Sequence, residues 1–464
     1  MLKSSILNEL KEIVGPENLF TAPEELVVYS YDATKRESLP GAVALPADAK
    51  EVSGILALAN REKFAVIPRG TGTGMSGGSV PVKGGLVLSL ERMNKILEIS
   101  EADLLAVAEP GVITGDLQRA VEAKGLFYPP DPASRQFCTL GGNVAECAGG
   151  LRAVKYGVTK DYVLGLEVVL PTGEIIPTGA RTVKSVAGYD LTRLIIGSEG
   201  TLGVVTKIIV KLLPLPERVE TAAGYFASVD DAARAASSIL AHRIVPRAVE
   251  LIDQVALRAV ETHLKQDISG GSEAMLLVET DGARETATRE IEAAAGVMIS
   301  SGALSVRRAE SAEEREQLWR ARRSISPALY SVKPRKVNED IVVPRSAIAP
   351  FLREAREIGR RNGLLIAAYG HAGDGNIHTN ILYDDADLPR VEKAVEEVLR
   401  AALRLGGSIS GEHGIGLTKA AYLPLEAGAG ALGAMRRIKQ ALDPNNILNP
   451  GKIFPEQNAQ GNPR

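Results

Sequence analysis

Apolar positions along the chain follow two rhythms, and the change between them falls near residue 217. From about 40 to 215, short β-branched runs alternate with glycine-containing turns: "GAVALPA", "KFAVIPRG", "GLVLSL", "LLAVAEPGV", "LGLEVVLPTGEII" and "GVVTKIIVKLLPLP". Runs of this length bounded by turn residues predict strands. Between them, "AKEVSGILALANREK" and "ITGDLQRAVEAKG" carry apolar residues at helical spacing and stop at a glycine or a turn, which predicts helices. The opening "MLKSSILNELKEIVG" predicts an amphipathic helix rather than a signal peptide, and no apolar run reaches membrane-spanning length.

After "KLLPLPE" (211 to 217), whose two prolines end a strand-like stretch, the texture changes. Helical segments such as "SVDDAARAASSILAHR" and "REAREIGRRNG" alternate with strands such as "AMLLVET", as in an α+β domain whose helices cover a sheet. A further region begins near 413 and runs through "IKQALDPNNILNPGKIF". No internal repeat or low-complexity segment interrupts the chain.

The 464 residues, 45% apolar and 24% charged, suffice for two or three domains with buried cores. A formal charge of -3 and 4% aromatic residues give neither a basic field nor many stacking surfaces, so nucleic acid is excluded as the expected partner. Cys138 and Cys147 cannot furnish the four thiolates of an iron–sulfur cluster, and their spacing fits no zinc motif. Free thiols in a reducing compartment are expected, hence a cytoplasmic protein that touches a membrane, if at all, through a partner.

Three glycine clusters stand out: "PRGTGTGMSGGSVP" (68–81), "TLGGNVAECAGGLRAVKYG" (139–157) and "IGSEGTLGVV" (196–205). The first contains "GTGMSG", a match to the dinucleotide fingerprint, but the next residues lead into the strand-like "LVLSL" with no room for the helix that fingerprint requires. Successive backbone N–H groups in such a loop can instead turn inward and bind phosphate oxygens. Three close backbone approaches in one domain suit a long ligand threaded across it.

A second kind of chemistry gathers around "YGHAGDGNIHTN" (369–380), which reads as two strands about a turn. If Asp374 and Gly375 form a two-residue hairpin, His371 faces His378 with Cβ atoms about 5 Å apart, close enough to share a divalent ion. Asn380 lies on the same face, and Asp374 is a turn residue. "GSISGEHGIGLTK" offers Glu412 and His413 among glycines that permit an irregular backbone. Three of the five histidines thus sit in two glycine-framed motifs. His242 and His263 are expected at the surface.

The glycine stretches just quoted, with "YPPDPASRQFC", "YGHAGDGNIH", "SGEHGIG" and "DPNNILNPGK", occur in an order that resembles the FAD-linked 2-hydroxy acid dehydrogenases of the vanillyl-alcohol oxidase superfamily. The group resembled is that of the glycolate oxidase catalytic subunits and D-lactate dehydrogenases, and the likeness covers nearly the whole chain. It implies an α+β fold: a two-lobed PCMH-type FAD-binding domain (1–217, core about 38–217), a cap domain with an antiparallel sheet carrying the substrate site (218–412), and a C-terminal segment (413–464) packing back on the FAD domain.

The resemblance also implies a set of flavin contacts. The pyrophosphate would lie on the first loop, along Pro68, Arg69, Gly70, Thr71, Gly72, Thr73, Gly74, Met75, Gly77, Gly78 and Ser79. Pro130, Asp131, Ser134, Thr139, Gly141, Gly142, Asn143, Gly149, Gly150, Tyr156 and Gly157 would line the middle, with Glu199, Gly200, Gly203, Val205 and Asn449 closing the rest. Members that attach FAD covalently often carry a histidine in the first loop; here Thr73 stands near that place, so the FAD is expected to be non-covalent.

By the same resemblance His371, His378 and Glu412 are metal ligands, His413 is the general base, and Arg322, three residues after the single tryptophan, binds the substrate carboxylate beside Ser326 and Asn380. Zinc, manganese or iron(II) would suit such ligands. The expected reaction is oxidation of a small D-2-hydroxy acid, D-lactate or glycolate, to the 2-oxo acid. Electrons would pass to an iron–sulfur subunit, an electron-transfer flavoprotein, a cytochrome or a quinone, in a homodimer or a hetero-oligomer. Relatives acting on D-2-hydroxyglutarate carry a lysine where this chain has Asn338, with Lys336 nearby, which favours a monocarboxylate. D-2-hydroxyglutarate or D-malate, a non-redox FAD enzyme like the alkyl-ether lipid synthases, and a non-catalytic FAD-binding subunit are the alternatives.

Overall fold

The computed structural model describes residues 2–455, which form two units. Of the described residues, the first comprises 2–149, 158–215 and 412–455, the second 150–157 and 216–411.

The first unit is built on two sheets. In one, the order is Leu19–Phe20, Ala42–Ala44, Leu86–Ser89, Val66–Arg69, and the last three run parallel. Helices Ser4–Val14 and Ala49–Glu62 cover it. Ile6, Leu10 and Val14 recur every fourth residue, so one stripe of the opening helix is buried against Val52, Ile55 and Leu56. The second helix starts where the Asp48 carboxylate accepts the N–H groups of Lys50 and Glu51 at 2.8 and 3.0 Å, and it ends at Lys63 in the left-handed conformation (φ 57°). The other sheet is antiparallel: Ile96–Ser100, Leu105–Ala108, Val204–Lys211, Val163–Val169, Ile175–Gly179.

Between Arg69 and Leu86 the chain forms no helix, in keeping with the exclusion of a dinucleotide fold. The segment 447–449 lies alongside Val66: the Val66 N–H donates to Ile447 O at 2.8 Å and the Asn449 N–H to Val66 O at 2.9 Å. Residues far apart in sequence thereby share one sheet edge.

The second unit carries a seven-stranded antiparallel sheet ordered Ala303–Arg308, Arg218–Phe226, Ala274–Gly282, Ala248–Asp253, Leu365–His371, Asn376–Tyr383, Arg335–Val342. Helices Gln254–Leu264 and Ala312–Arg323 pack on one of its faces through Ala256, Leu257, Val260, Leu318 and Trp319, against Ala248, Ile252, Met275 and Leu277. Residues 150–157, expected with the FAD-binding domain, group with this unit instead. The reason is electrostatic: the Asp281 side chain is fully buried, and Lys155 Nζ reaches its Oδ1 at 2.6 Å while Tyr156 Oη donates to Oδ2 at 2.8 Å. Among the described residues no helix is long and apolar enough to cross a membrane.

Candidate functional site

In the first unit the glycine clusters converge on one cavity of about 230 Å³. Its walls are Pro68–Met75, Gly78 and Ser79 from the first loop, Pro132–Ser134 with Thr139, Gly141, Gly142 and Asn143 from the second stretch, and Ser198–Gly200 with Gly203 from the third. Glu412, His413 and Asn449 complete it. The helix Leu140–Glu146 points its first turn into this wall, with Thr139 Oγ1 accepting the Gly142 N–H at 3.3 Å.

The C-terminal segment is clasped to the first loop. Lys452 Nζ donates to three carbonyls, Gly77 O, Gly78 O and Val80 O, at 2.7, 3.0 and 2.7 Å. Asn449 Nδ2 donates to Gly78 O and Glu199 O, both at 2.8 Å. Glu199 in turn accepts the N–H groups of Ile415 and Gly416 at 2.8 and 2.7 Å. Glu199 and Asn449 both hold left-handed backbone (φ 52° and 45°), strain that this mutual bonding sustains. Burial, and then the neighbouring charges of Glu199 and Asp32, push the Glu146 carboxyl well above the usual range. Burial raises Glu199 too, against the two backbone N–H groups and Lys452.

Gly416 sits at φ 47°, and a Cβ there would meet Ser76 O at 2.2 Å. Gly416→Ala is therefore expected to destabilise the protein by about 2 kcal/mol or more and to loosen bound cofactor, measured by thermal melting and by flavin release on gel filtration.

The second unit brings the two histidines together on one sheet face, but by a different register from the expected one. His371 pairs with Asn376 and His378 with Tyr369, so residues 372–375 form the loop and the histidines are diagonal rather than opposed. The longer turn arises because His371 O accepts the N–H groups of both Asp374 and Gly375, at 3.2 and 3.0 Å, and the Val343 N–H draws in Gly375 O at 3.0 Å. A shift of two residues preserves the face, and the imidazole centroids lie 5.2 Å apart. Asp374 is a turn residue whose Oδ1 accepts the Asn376 N–H at 3.1 Å.

Two buried carboxylates frame this pair. Glu250, opposite His371 in register, contacts His371 Nδ1 with Oε1 at 2.6 Å and accepts Arg322 Nε with Oε2 at 2.6 Å. Burial alone would raise the Glu250 carboxyl, but His371 and Arg322 outweigh it and hold the group below the usual range. Asp340 pairs with His378, its Oδ1 3.9 Å from Nδ1, and accepts Asn376 Nδ2 at 2.6 Å and the Gly411 N–H at 2.9 Å. The Arg322 guanidinium lies 4.8 Å above the Tyr369 ring.

The FAD binding domain family matches residues 40–179, and the C-terminal domain of the FAD linked oxidases matches 215–453. The glycolate oxidase subunit GlcD of Bacillus subtilis is 46% identical over 98% of this chain and 97% of that protein. This chain belongs to the FAD-linked oxidases. The D-lactate dehydrogenase of Anaerostipes hadrus is 35% identical over 97% of each chain. Among solved structures, p-cresol methylhydroxylase with substrate bound superposes with a TM-score of 0.82 over 98% of each chain at 19% identity, a likeness of fold.

As an FAD-linked oxidoreductase with a PCMH-type domain, the protein binds FAD, and the first-unit cavity fits that group. Asn449 Oδ1, Ser198 Oγ and Glu146 Oε2 are buried in its walls with no hydrogen-bond partner among the described residues. Of the flavin contacts expected from sequence, Gly77, Pro130, Asp131, Gly150, Tyr156 and Gly157 stand outside the cavity lining. Gly77 packs its bare Cα against Leu417, Pro130 O accepts Gln118 Nε2 at 2.8 Å, and Tyr156 is committed to Asp281. Glu146, Ser198 and Pro110 line the cavity without having been singled out. Their one sequence signal was proximity to glycine clusters or a turn.

Of the residues expected around the substrate, His371, His378, Arg322, Ser326 and Asn380 belong to the second unit, and Glu412 and His413 to the first. Asn380 is fully buried opposite Asn338, and the Oδ1 atoms of both have no hydrogen-bond partner among the described residues. Ser326 Oγ accepts Lys336 Nζ at 2.7 Å. Arg320 and Arg323 are exposed, as are His242 and His263, and both cysteines are free.

Proposed function

We propose that this protein oxidises a small D-2-hydroxy acid, glycolate or D-lactate, to the 2-oxo acid, using non-covalent FAD and one divalent ion. The observation that carries the reading is the presence of His413 beside Glu412 in the wall of the flavin cavity. The names of the relatives agree, being those of glycolate oxidase subunits and D-lactate dehydrogenases.

Bound FAD supplies the two-electron acceptor, and a divalent ion held by His371, His378 and Glu412 supplies a Lewis acid that lowers the hydroxyl pKa. The donor set suits such an ion: two adjacent imidazoles, one with Nδ1 engaged by a carboxylate so that ligation falls to Nε2. Arg322 holds the substrate carboxylate. His413 accepts the hydroxyl proton as the C2 hydrogen departs with its electron pair, and the C–O bond becomes double. Electrons then leave to a partner, since two cysteines provide no iron–sulfur centre in this chain. An iron–sulfur subunit, an electron-transfer flavoprotein, a cytochrome or a quinone would serve.

The test is anaerobic flavin bleaching with glycolate, D-lactate, L-lactate, D-malate and D-2-hydroxyglutarate, before and after chelation. Bleaching by glycolate or D-lactate that vanishes on chelation and returns with zinc, manganese or iron(II) is expected. Absence of bleaching by every acid in the metal-loaded protein defeats the dehydrogenase reading, and bleaching indifferent to chelation defeats the role of the ion. Preference for the dicarboxylates would displace the monocarboxylate assignment, which rests on Asn338 and on Lys336 being held by Ser326.

A further inference from the structure

Glu250 lies in the strand Ala248–Asp253, all six residues of which are buried, and its own exposure is 0%. A carboxylate in such a strand costs several kcal/mol unless both oxygens are satisfied. Here each oxygen serves a different functional side chain: Oε1 meets His371 Nδ1 at 2.6 Å and Oε2 meets Arg322 Nε at 2.6 Å. The two partners are 49 positions apart in sequence, on a strand and on the helix Ala312–Arg323.

We propose that Glu250 is the positioning residue that sets both halves of the substrate site, fixing the ring orientation of His371 for metal ligation and the guanidinium of Arg322 for the substrate carboxylate. The inference rests on the proposed function for the roles of those two residues. Its physical content is that one buried anion is shared. The bond to Nδ1 fixes which imidazole nitrogen is offered outward and raises its basicity, an effect commonly worth ~10- to 100-fold in metal affinity. The bond to Nε leaves the terminal guanidinium nitrogens to engage a carboxylate. Because the anion is divided between them, weakening one contact strengthens the other.

The experiment uses the full-length, FAD-loaded protein stripped with a chelator and titrated with Zn²⁺ against a chromophoric competitor, with KM and kcat for glycolate and D-lactate measured on the reloaded enzyme. Glu250→Gln, close to isosteric, is expected to weaken Zn²⁺ binding about 10- to 100-fold and to raise KM about tenfold or more, with the flavin spectrum retained. Glu250→Asp should recover part of both. Glu279→Gln removes another buried carboxylate of the same unit, one that accepts Trp319 Nε1 and Thr221 Oγ1, and should leave Zn²⁺ affinity unchanged. A folded Glu250→Gln protein with wild-type Zn²⁺ affinity and KM overturns the proposal.

Should Glu250→Gln fail to fold, Arg322→Gln gives the reading instead. With the anion left to His371 alone, Zn²⁺ should bind at least about twofold tighter while acid binding is lost; unchanged Zn²⁺ affinity there overturns the sharing. A wild-type chain that takes up no ion defeats the metal reading and the His371 half of this one, while the Arg322 half is still decided by KM.

Discussion

His413→Ala is expected to slow reduction of the bound flavin by glycolate or D-lactate about 10²- to 10⁴-fold, the usual range for loss of a positioned general base. His413 is half-buried in the wall of the flavin cavity and its Nε2 lies 3.9 Å from Glu412 Oε1. The imidazole is only partly buried and stands outside the buried core of the chain. FAD should therefore remain bound, with an unchanged visible spectrum, while single-turnover bleaching under anaerobic conditions falls. The measurement separates proton removal from binding: under the proposed roles Arg322 holds the acid, so KM should move little. A variant that bleaches at the wild-type rate would show that another group takes the hydroxyl proton.

Lys452→Met is expected to cost about 3–5 kcal/mol of stability and to yield protein that loses FAD on dilution, since breaking a buried charged network leaves its partners uncompensated. Three carbonyls of the first loop lose their donor at once, and the Glu146, Glu199 and Asp32 carboxyls lose a neighbouring cation. The pH profile supplies a second signature. Burial lowers Lys452 to about 8, against the raising influence of those three charges, whereas the unfolded side chain titrates near 10.5. Between these values the unfolded chain holds the extra proton, so the contribution of this group to stability grows as pH rises from about 8 to 10.5 and is lost as pH falls through 8. Melting temperature of Lys452→Met relative to wild type should thus fall further behind across that window. A variant that keeps FAD and melts like wild type would mean the loop is held from elsewhere.

The elements of the fold were largely legible because periodicity is local. The helix Ala49–Glu62, the strand pair around "LPTG" and the hairpin strands 365–371 and 376–383 all follow from spacing and turn residues. Register was less legible. "GDG" favours a two-residue turn locally, but Val343 and the His371 carbonyl pull in a longer loop, a long-range contact that no dipeptide encodes. The face of each histidine survived because the error was even.

The supporting carboxylates were the hardest to see. Glu250 was visible as an acid inside "AVELID", yet nothing local marks it as a partner for residues 72 and 121 positions away. Glu146 and Lys452 depend likewise on loops that meet through the fold. Residues 150–157 read as part of a glycine cluster; the pull of a buried aspartate 126 positions from Lys155 is a property of the packed sheet.

The clasp formed by Asn449 and Lys452 has a bearing on biosynthesis. The first unit is interrupted in sequence by the whole of residues 216–411, and the carbonyls of Gly77, Gly78 and Val80 in the first glycine loop are held by residues beyond that insertion. A nascent chain can complete its central sheet while the flavin site still lacks its keeper, so cofactor capture must come late, after a long-range closure of the kind that folds slowly. Prematurely terminated chains would hold a finished second-unit sheet and a flavin cavity without its clasp, which makes tight flavin retention a built-in check that translation has reached the end of the clasp.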